Sequence, residues 1–127
     1  MQAEDPIAAY RRRLPNCRGF RYAITSNGAA IHRLPDESVR RSAFCQAAVE
    51  VILAETAHFP VLLEAYISGV AYTEARYFED PVRWGNPYPA YIWNTRKPVA
   101  DMRFFLQQHC RELDGICLRL CAVWIRQ

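Results

Sequence analysis

The sequence predicts one α+β domain over residues 1–127 that is mostly helical and carries a small antiparallel β-hairpin. Three observations lead to this prediction. Apolar residues recur at steps of three and four over long stretches, prolines separate these stretches, and an Asn-Gly pair lies between two short apolar runs. The expected elements are a short N-terminal helix, a hairpin over 19–34 and three main helices at 37–58, 60–79 and 98–125.

The first two elements follow from capping and turn signals. Asp5-Pro6 is typical of a helix start, since aspartate can cap backbone N–H groups and proline suits the first helical turn. Asn27-Gly28 favours a two-residue type I′ turn, which requires positive φ at both positions. A hairpin alone is only marginally stable, so we consider Ala90–Asn94 a candidate third strand.

The register of the hairpin follows from its turn. With Asn27-Gly28 as the loop, Tyr22 lies opposite Arg33 and Ile24 lies opposite Ile31. Apolar side chains then share one face of the hairpin, which is the pattern of a half-buried sheet.

The three main helices follow from periodicity. Residues 37–58 leave only a narrow polar stripe, which is typical of a buried helix. Pro60 and Pro81 bound the second stretch, and Pro98 begins the third. Residues 82–98 contain several prolines and no helical period, which predicts a long loop.

The composition indicates a folded cytoplasmic protein. The chain is 51% hydrophobic and 23% charged, which is ordinary for a domain with its own core. No apolar run has the length of a signal peptide or a membrane span, so we expect no membrane association. The five cysteines are an odd number, which favours free thiols in a reducing compartment.

Charge is segregated along the chain. Residues 1–41 carry a net charge of +4, residues 42–82 a net charge of −5 and residues 83–127 a net charge of +4. Such a pattern favours an acidic partner for the basic segments. The partner is another protein, a nucleic acid, the acidic middle of this same chain or the acidic middle of a second copy. A homo-oligomer is therefore among the expected assemblies.

Two groups of residues are candidates for partner binding. Arginines with interleaved aromatics surround the hairpin, and a second set of arginines and aromatics lies in the loop at 82–98. This combination is typical of interface hot spots. The candidates are Arg11, Arg12, Arg13, Arg18, Arg21, Arg33, Arg83, Trp84, Tyr88, Trp93 and Arg96.

Catalytic and metal sites find little support. The chain has no phosphate-binding loop, no nucleophile elbow and no zinc-protease motif. Cys110, Cys117 and Cys121 are spaced by whole helical turns along one predicted helix, which is typical of buried thiols rather than of zinc ligands. We therefore expect no enzyme activity, no cofactor and no metal.

Small residues at Ala65, Gly69 and Ala75 have the spacing of a helix-turn-helix within 60–80. Charge argues against this interpretation, because the would-be recognition helix carries three acidic residues and one arginine, and phosphate contacts dominate DNA affinity. We therefore interpret Gly69 as a point where two helices pack closely.

The leading hypothesis is a small non-enzymatic binding protein that modulates or inhibits a larger partner with an acidic surface. An inhibitor, an immunity protein or an accessory regulatory protein of a phage, plasmid or bacterium fits this description. The alternative is a nucleic-acid-binding transcriptional regulator that uses the arginine-rich N-terminal part or the helix-turn-helix.

Overall fold

The computed structural model describes residues 21–25, 29–33 and 38–120. Within these residues the fold is α+β with seven strands and four helices, so the prediction of a mostly helical fold is wrong. The strands are β1 (Tyr22–Thr25), β2 (Ala30–Arg33), β3 (Ser38–Arg41), β4 (Val61–Ile67), β5 (Val70–Glu74), β6 (Arg96–Val99) and β7 (Leu113–Leu120). The helices are α1 (Gln46–Thr56), α2 (Ala75–Glu79), α3 (Pro89–Thr95) and α4 (Met102–Gln108).

The first sheet has the order β1-β2-β3, and its strands are antiparallel. The predicted hairpin register is confirmed, because Tyr22 lies opposite Arg33 and Ile24 opposite Ile31. The third strand is β3, whereas the candidate Ala90–Asn94 lies in α3. The predicted Asn-Gly turn and the predicted N-terminal helix lie outside the described residues.

None of the three predicted main helices exists over its predicted length. Residues 37–58 include β3, and α1 covers only the second half of the stretch. Residues 60–79 form the β4–β5 hairpin and the short α2, which also removes the helix-turn-helix considered for this stretch. Residues 98–125 include the end of β6, all of α4 and the long strand β7.

A tight turn at Ser68-Gly69 joins β4 to β5. Both residues have positive φ, 50° and 80°, and the flanking Ile67 and Val70 face each other in the ladder. Two residues in the left-handed region are typical of a type I′ hairpin turn, whose twist matches that of the strands. Gly69 therefore serves this turn and does not mark the packing point of a helix.

The second sheet has the order β6-β5-β4-β7. β4 is a central strand and pairs antiparallel with β5 and with β7, whereas β6 runs parallel to β5. Because successive side chains of a strand alternate between faces, Val61, Leu63 and Ala65 of β4 lie on one face and Leu62, Glu64 and Tyr66 on the other. We call these the helix face and the charged face.

The helix face holds the larger part of the core. Val49 and Leu53 of α1 and Met102 and Leu106 of α4 pack against it in one buried apolar cluster. The Asp101 carboxylate caps α4 by accepting a hydrogen bond from the backbone N–H of Phe104 at 3.0 Å. This cap satisfies one of the N–H groups that a helix start leaves unpaired.

The charged face is covered by α2 and α3. Tyr77 of α2 and Ile92 of α3 are each 1% exposed and form a second apolar cluster with Leu62, against which Trp84 packs. β4 is thus buried on both faces, which is why its residues read as a continuous apolar run rather than an alternating one.

Among the described residues, no helix has the length and apolar character needed to cross a membrane. Cys45, Cys110 and Cys117 are free thiols, and only the first of them is exposed.

Candidate functional site

The outer face of the first sheet exposes apolar side chains to solvent. Tyr22, Ile24 and Ile31 are 59%, 69% and 38% exposed. On the opposite face of the same sheet the residues of β1 and β2 are buried, with Ala30 only 1% and His32 only 3% exposed, whereas Val39 of β3 is 43% exposed. The alternation of the strands therefore places one apolar set inside the protein and presents the second set outward.

Arginines share this outer face. Residues directly opposite each other in a ladder project on the same side, which places Arg33 beside Tyr22 and Arg40 beside Ile31. Both arginines are exposed. We define the docking face as Tyr22, Ile24, Ile31, Arg33 and Arg40.

Positive charge prevails in the described part of the first sheet. The described residues between 21 and 45 include four arginines and no aspartate or glutamate. Arg21, which directly precedes β1, is exposed and adds to the positive charge of the sheet. An apolar patch with a cationic margin is the composition expected of a surface that binds an acidic protein.

An ion pair ties the first sheet to the second. Arg41 of β3 donates to both carboxylate oxygens of Asp114 at 3.0 Å, and the Asp114 side chain is 2% exposed. Asp114 also accepts a hydrogen bond from the backbone N–H of Gly69 at 3.4 Å. Both contacts come from one terminal nitrogen of Arg41. They join β3 to a buried carboxylate of β7, so they help to hold the docking face on the rest of the protein.

The aromatic candidates of 82–98 serve as anchors of their own segment. The indole N–H of Trp84 donates to the carbonyl of Arg76 at 3.2 Å, and that of Trp93 donates to the carbonyl of Phe78 at 2.7 Å. Both indoles therefore attach this segment to α2. Tyr88 is 73% exposed and Arg83 is also exposed.

The structure divides the predicted binding residues into separate groups. Arg33, with Arg21 before it, belongs to the first sheet, whereas the residues of 82–98 lie around α2 and α3. Arg11, Arg12, Arg13 and Arg18 lie outside the described residues.

Arg96 belongs to a third group inside the protein. Its side chain is 9% exposed, and its Nε donates to Glu64 at 2.9 Å. Arg119 of β7 donates through its Nε to the other oxygen of Glu64. Glu64 itself is fully buried at the middle of β4. Two guanidinium groups thus share one carboxylate on the charged face.

Aromatic rings enclose this group. The guanidinium of Arg96 lies 5.4 Å from the ring centre of Tyr91, and that of Arg119 lies 5.5 Å from the ring centre of Tyr77. Cation–π contacts of this kind stabilise a guanidinium where water is excluded. We define the charge cluster as Glu64, Arg96 and Arg119.

The surroundings of the charge cluster shift several pKa values. Burial acts to lower the pKa of Arg96 and of Arg119, but the hydrogen bond and the charge of Glu64 outweigh it, and both pKa values are raised. Burial, followed by the negative charge of Glu64, raises the pKa of the Tyr66 phenol above 10.0. The arginines therefore stay charged and Tyr66 stays neutral at physiological pH.

Thr73 lies opposite Glu64 in the β4–β5 ladder and is fully buried. Its hydroxyl has no hydrogen-bond partner among the described residues. A buried hydroxyl without a partner lowers stability, because it loses its hydrogen bonds to water on folding.

Replacement of Thr73 by valine should therefore raise the free energy of unfolding by about 1 kcal/mol, measured by urea denaturation. The same substitution at Thr56 is the matched control. The Thr56 hydroxyl donates to the carbonyl of Ile52 at 2.7 Å, so Thr56→Val should lower stability by about 1 kcal/mol. A destabilised Thr73→Val protein would show that this hydroxyl is paired in solution.

The structure reveals two site residues that the sequence analysis did not select, Glu64 and Arg119. One signal pointed to Glu64, because it is a single carboxylate within the apolar run Val61–Ile67 and buried carboxylates require a partner. Across residues 21–25, 29–33 and 38–120, no group of three or more histidine, cysteine, aspartate or glutamate side chains has the arrangement needed to hold a metal ion.

Comparison of the chain with protein-family models, with curated proteins and with solved structures found no match.

Proposed function

We propose that this protein is a non-enzymatic binding protein that regulates a larger protein by docking on an acidic surface of it through the docking face. One observation carries the proposal: three exposed apolar side chains and two arginines share one face of the first sheet. They are Tyr22, Ile24, Ile31, Arg33 and Arg40.

The expected mechanism is occlusion of the partner's surface. The apolar side chains at the centre of the docking face supply buried area, and the arginines steer association and fix the register on carboxylates. The buried opposite face of the sheet and the Arg41–Asp114 ion pair hold these side chains in place before the partner binds. A preformed surface lowers the entropy cost of association.

A photo-crosslinking amino acid at position 24 tests the proposal in the cells that make the protein. We expect one defined adduct, joined at a partner segment rich in aspartate and glutamate, as read by mass spectrometry. The purified partner should then bind the wild-type protein and lose at least about tenfold in affinity with Ile24→Asp or Arg40→Glu.

Matched controls use exposed positions away from the docking face. Val51 of α1 is 60% exposed and Arg111 is also exposed, so Val51→Asp and Arg111→Glu should leave both the affinity and the melting temperature unchanged. No adduct, or an adduct at a segment without acidic residues, would refute the proposal.

A different outcome would favour the nucleic-acid alternative. Binding of random single-stranded DNA or RNA at low salt, with an affinity that falls steeply as salt rises, would assign the arginines to phosphate contacts. An adduct between two copies of this chain would instead identify self-assembly as the role of the docking face.

A further inference from the structure

We propose that a cavity beside Arg119 binds a small organic carboxylate with an apolar body of about the size of an aromatic ring. This site lies on the charged face of the second sheet and is independent of the docking face, so either proposal can hold without the other.

The cavity has a volume of about 270 Å³. It lies between β4, β7 and the segment that follows α2. The residues used in the argument are Leu62, Tyr77, Trp84, Asn86, Arg119 and Leu120. Arg119 is the one charged residue among the described residues that line it.

Charge at the cavity is unbalanced in favour of an anion. Glu64 neutralises one of the two guanidinium groups that contact it, which leaves the charge cluster with a net charge of +1. Arg96 lies deeper, with 9% of its side chain exposed, whereas 35% of the Arg119 side chain is exposed. The surplus positive charge is therefore accessible at Arg119.

Arg119 is also prepared for a second acceptor. Within the described part of the chain, Glu64 is its one hydrogen-bond acceptor, and this contact uses only the Nε. Among residues 21–25, 29–33 and 38–120, no acceptor takes a hydrogen bond from the two terminal nitrogens. They form a planar fork whose parallel N–H groups match the two oxygens of a carboxylate. Because the Nε is held by Glu64, the fork is oriented before the ligand arrives.

The other side chains favour an apolar body on this anion. Leu62, Trp84 and Leu120 provide apolar walls. The Tyr77 hydroxyl accepts a hydrogen bond from Asn86 Nδ2 at 2.8 Å, and no acceptor in the described part of the chain takes its own proton. A single positive charge among such walls suits a monoanion, since a phosphate dianion would keep an unbalanced charge in an apolar site.

The test uses 3-phenylpropionate as the probe and its neutral amide as the matched ligand. Titration of the labelled protein is followed by the indole signals in a ¹H–¹⁵N correlation spectrum. We expect the Trp84 indole to shift with a dissociation constant on the order of 1 mM, whereas Trp93, which does not line the cavity, stays in place. The amide should bind at least about tenfold more weakly, because it lacks the charge.

Two variants change the net charge at the cavity in different ways. Arg119→Met should weaken binding of 3-phenylpropionate at least about tenfold while Arg96 continues to pair with Glu64. If this variant fails to fold, Asn86→Asp places a carboxylate in the cavity at constant size and should weaken binding at least about fivefold. Arg111→Met, at an exposed position outside the cavity, should bind as the wild type does.

Equal affinity for the acid and the amide would overturn the proposal. No shift of the Trp84 indole at 20 mM 3-phenylpropionate, about 20 times the expected dissociation constant, would also overturn it. Unchanged binding by a folded Arg119→Met protein, or by Asn86→Asp, would show that the charge at this cavity does not hold the ligand.

Discussion

Replacement of Glu64 by glutamine is expected to lower the free energy of unfolding by about 3–5 kcal/mol. Glu64 is fully buried and accepts hydrogen bonds from Arg96 and from Arg119. The glutamine retains the size of the side chain but not its charge. It therefore leaves Arg96, with 9% of its side chain exposed, as a buried cation without a counter-ion. An uncompensated buried charge is among the most destabilising changes in a folded protein.

Urea denaturation monitored by tryptophan fluorescence measures this effect. The matched control is Glu112→Gln, which removes an exposed carboxylate that lies 2.6 Å from His109. We expect the control to cost less than about 1 kcal/mol, because water screens exposed pairs. A loss below 1 kcal/mol for Glu64→Gln would mean that water reaches the charge cluster.

A triple variant measures how much the intact charge cluster contributes to the free energy of unfolding, as distinct from the loss caused by removing one of its charges. Glu64→Leu combined with Arg96→Met and Arg119→Met removes all three charges and leaves apolar side chains. We expect its stability to lie within about 1 kcal/mol of the wild type or above it, because the desolvation cost of the ions is removed along with their attraction. This variant should also lose the binding of 3-phenylpropionate.

The second large effect is expected for Leu106→Ala in α4, with a loss of about 2–5 kcal/mol in the free energy of unfolding. Leu106 is fully buried in the cluster on the helix face. Truncation of the side chain loses the free energy gained by burying its apolar groups. It also leaves a cavity that the surrounding side chains can fill only in part.

The same helix provides the control. Phe104 is 54% exposed, so Phe104→Ala should cost less than about 1 kcal/mol although it removes a larger side chain. Comparable losses for the two variants would contradict the burial that the structure assigns to α4.

The sequence predicted elements well where a local signal determined them. A loop at Asn27-Gly28 predicts the cross-strand pairs Tyr22–Arg33 and Ile24–Ile31, and the structure confirms both pairs, although the loop itself lies outside the described residues. An equivalent signal in the second hairpin was misinterpreted. Ser68-Gly69 is also a two-residue turn between apolar runs, but Gly69 was assigned to a helix contact.

The helices were over-predicted because burial on both faces removes the alternation that distinguishes a strand. Val61–Ile67 carries apolar side chains on both sides of the sheet, with Glu64 as the single charged exception, so it also satisfies the three-and-four spacing of a buried helix. Leu113, Cys117 and Leu120 also follow steps of three and four, although the second half of β7 is partly exposed. These two segments are strands because they pair with each other. The pairing joins residues about 50 positions apart, so a short stretch of sequence does not reveal it.

The sequence predicted which types of residue form the candidate site, but it did not predict which of them lie together in space. Arginines and aromatics around the hairpin were identified from spacing, and Arg33 does lie on the docking face. Arg96 is one of the binding candidates predicted for the loop at 82–98, yet it pairs with a carboxylate 32 residues earlier in the chain. Contacts of this range depend on the order of strands in the sheet, which the sequence patterns did not reveal.

The distance in sequence between Glu64 and Arg119 has a consequence during synthesis. Arg119 is added 55 residues after Glu64, which is a delay of about 3–11 s at ribosomal speed. For that time β4 has no β7 beside it, and an apolar central strand with an open edge is the kind of segment through which nascent chains aggregate. The carboxylate of Glu64 at the centre of β4 interrupts the apolar run and opposes pairing with other chains. Glu64 therefore protects the nascent chain against aggregation before it forms its ion pairs in the folded protein.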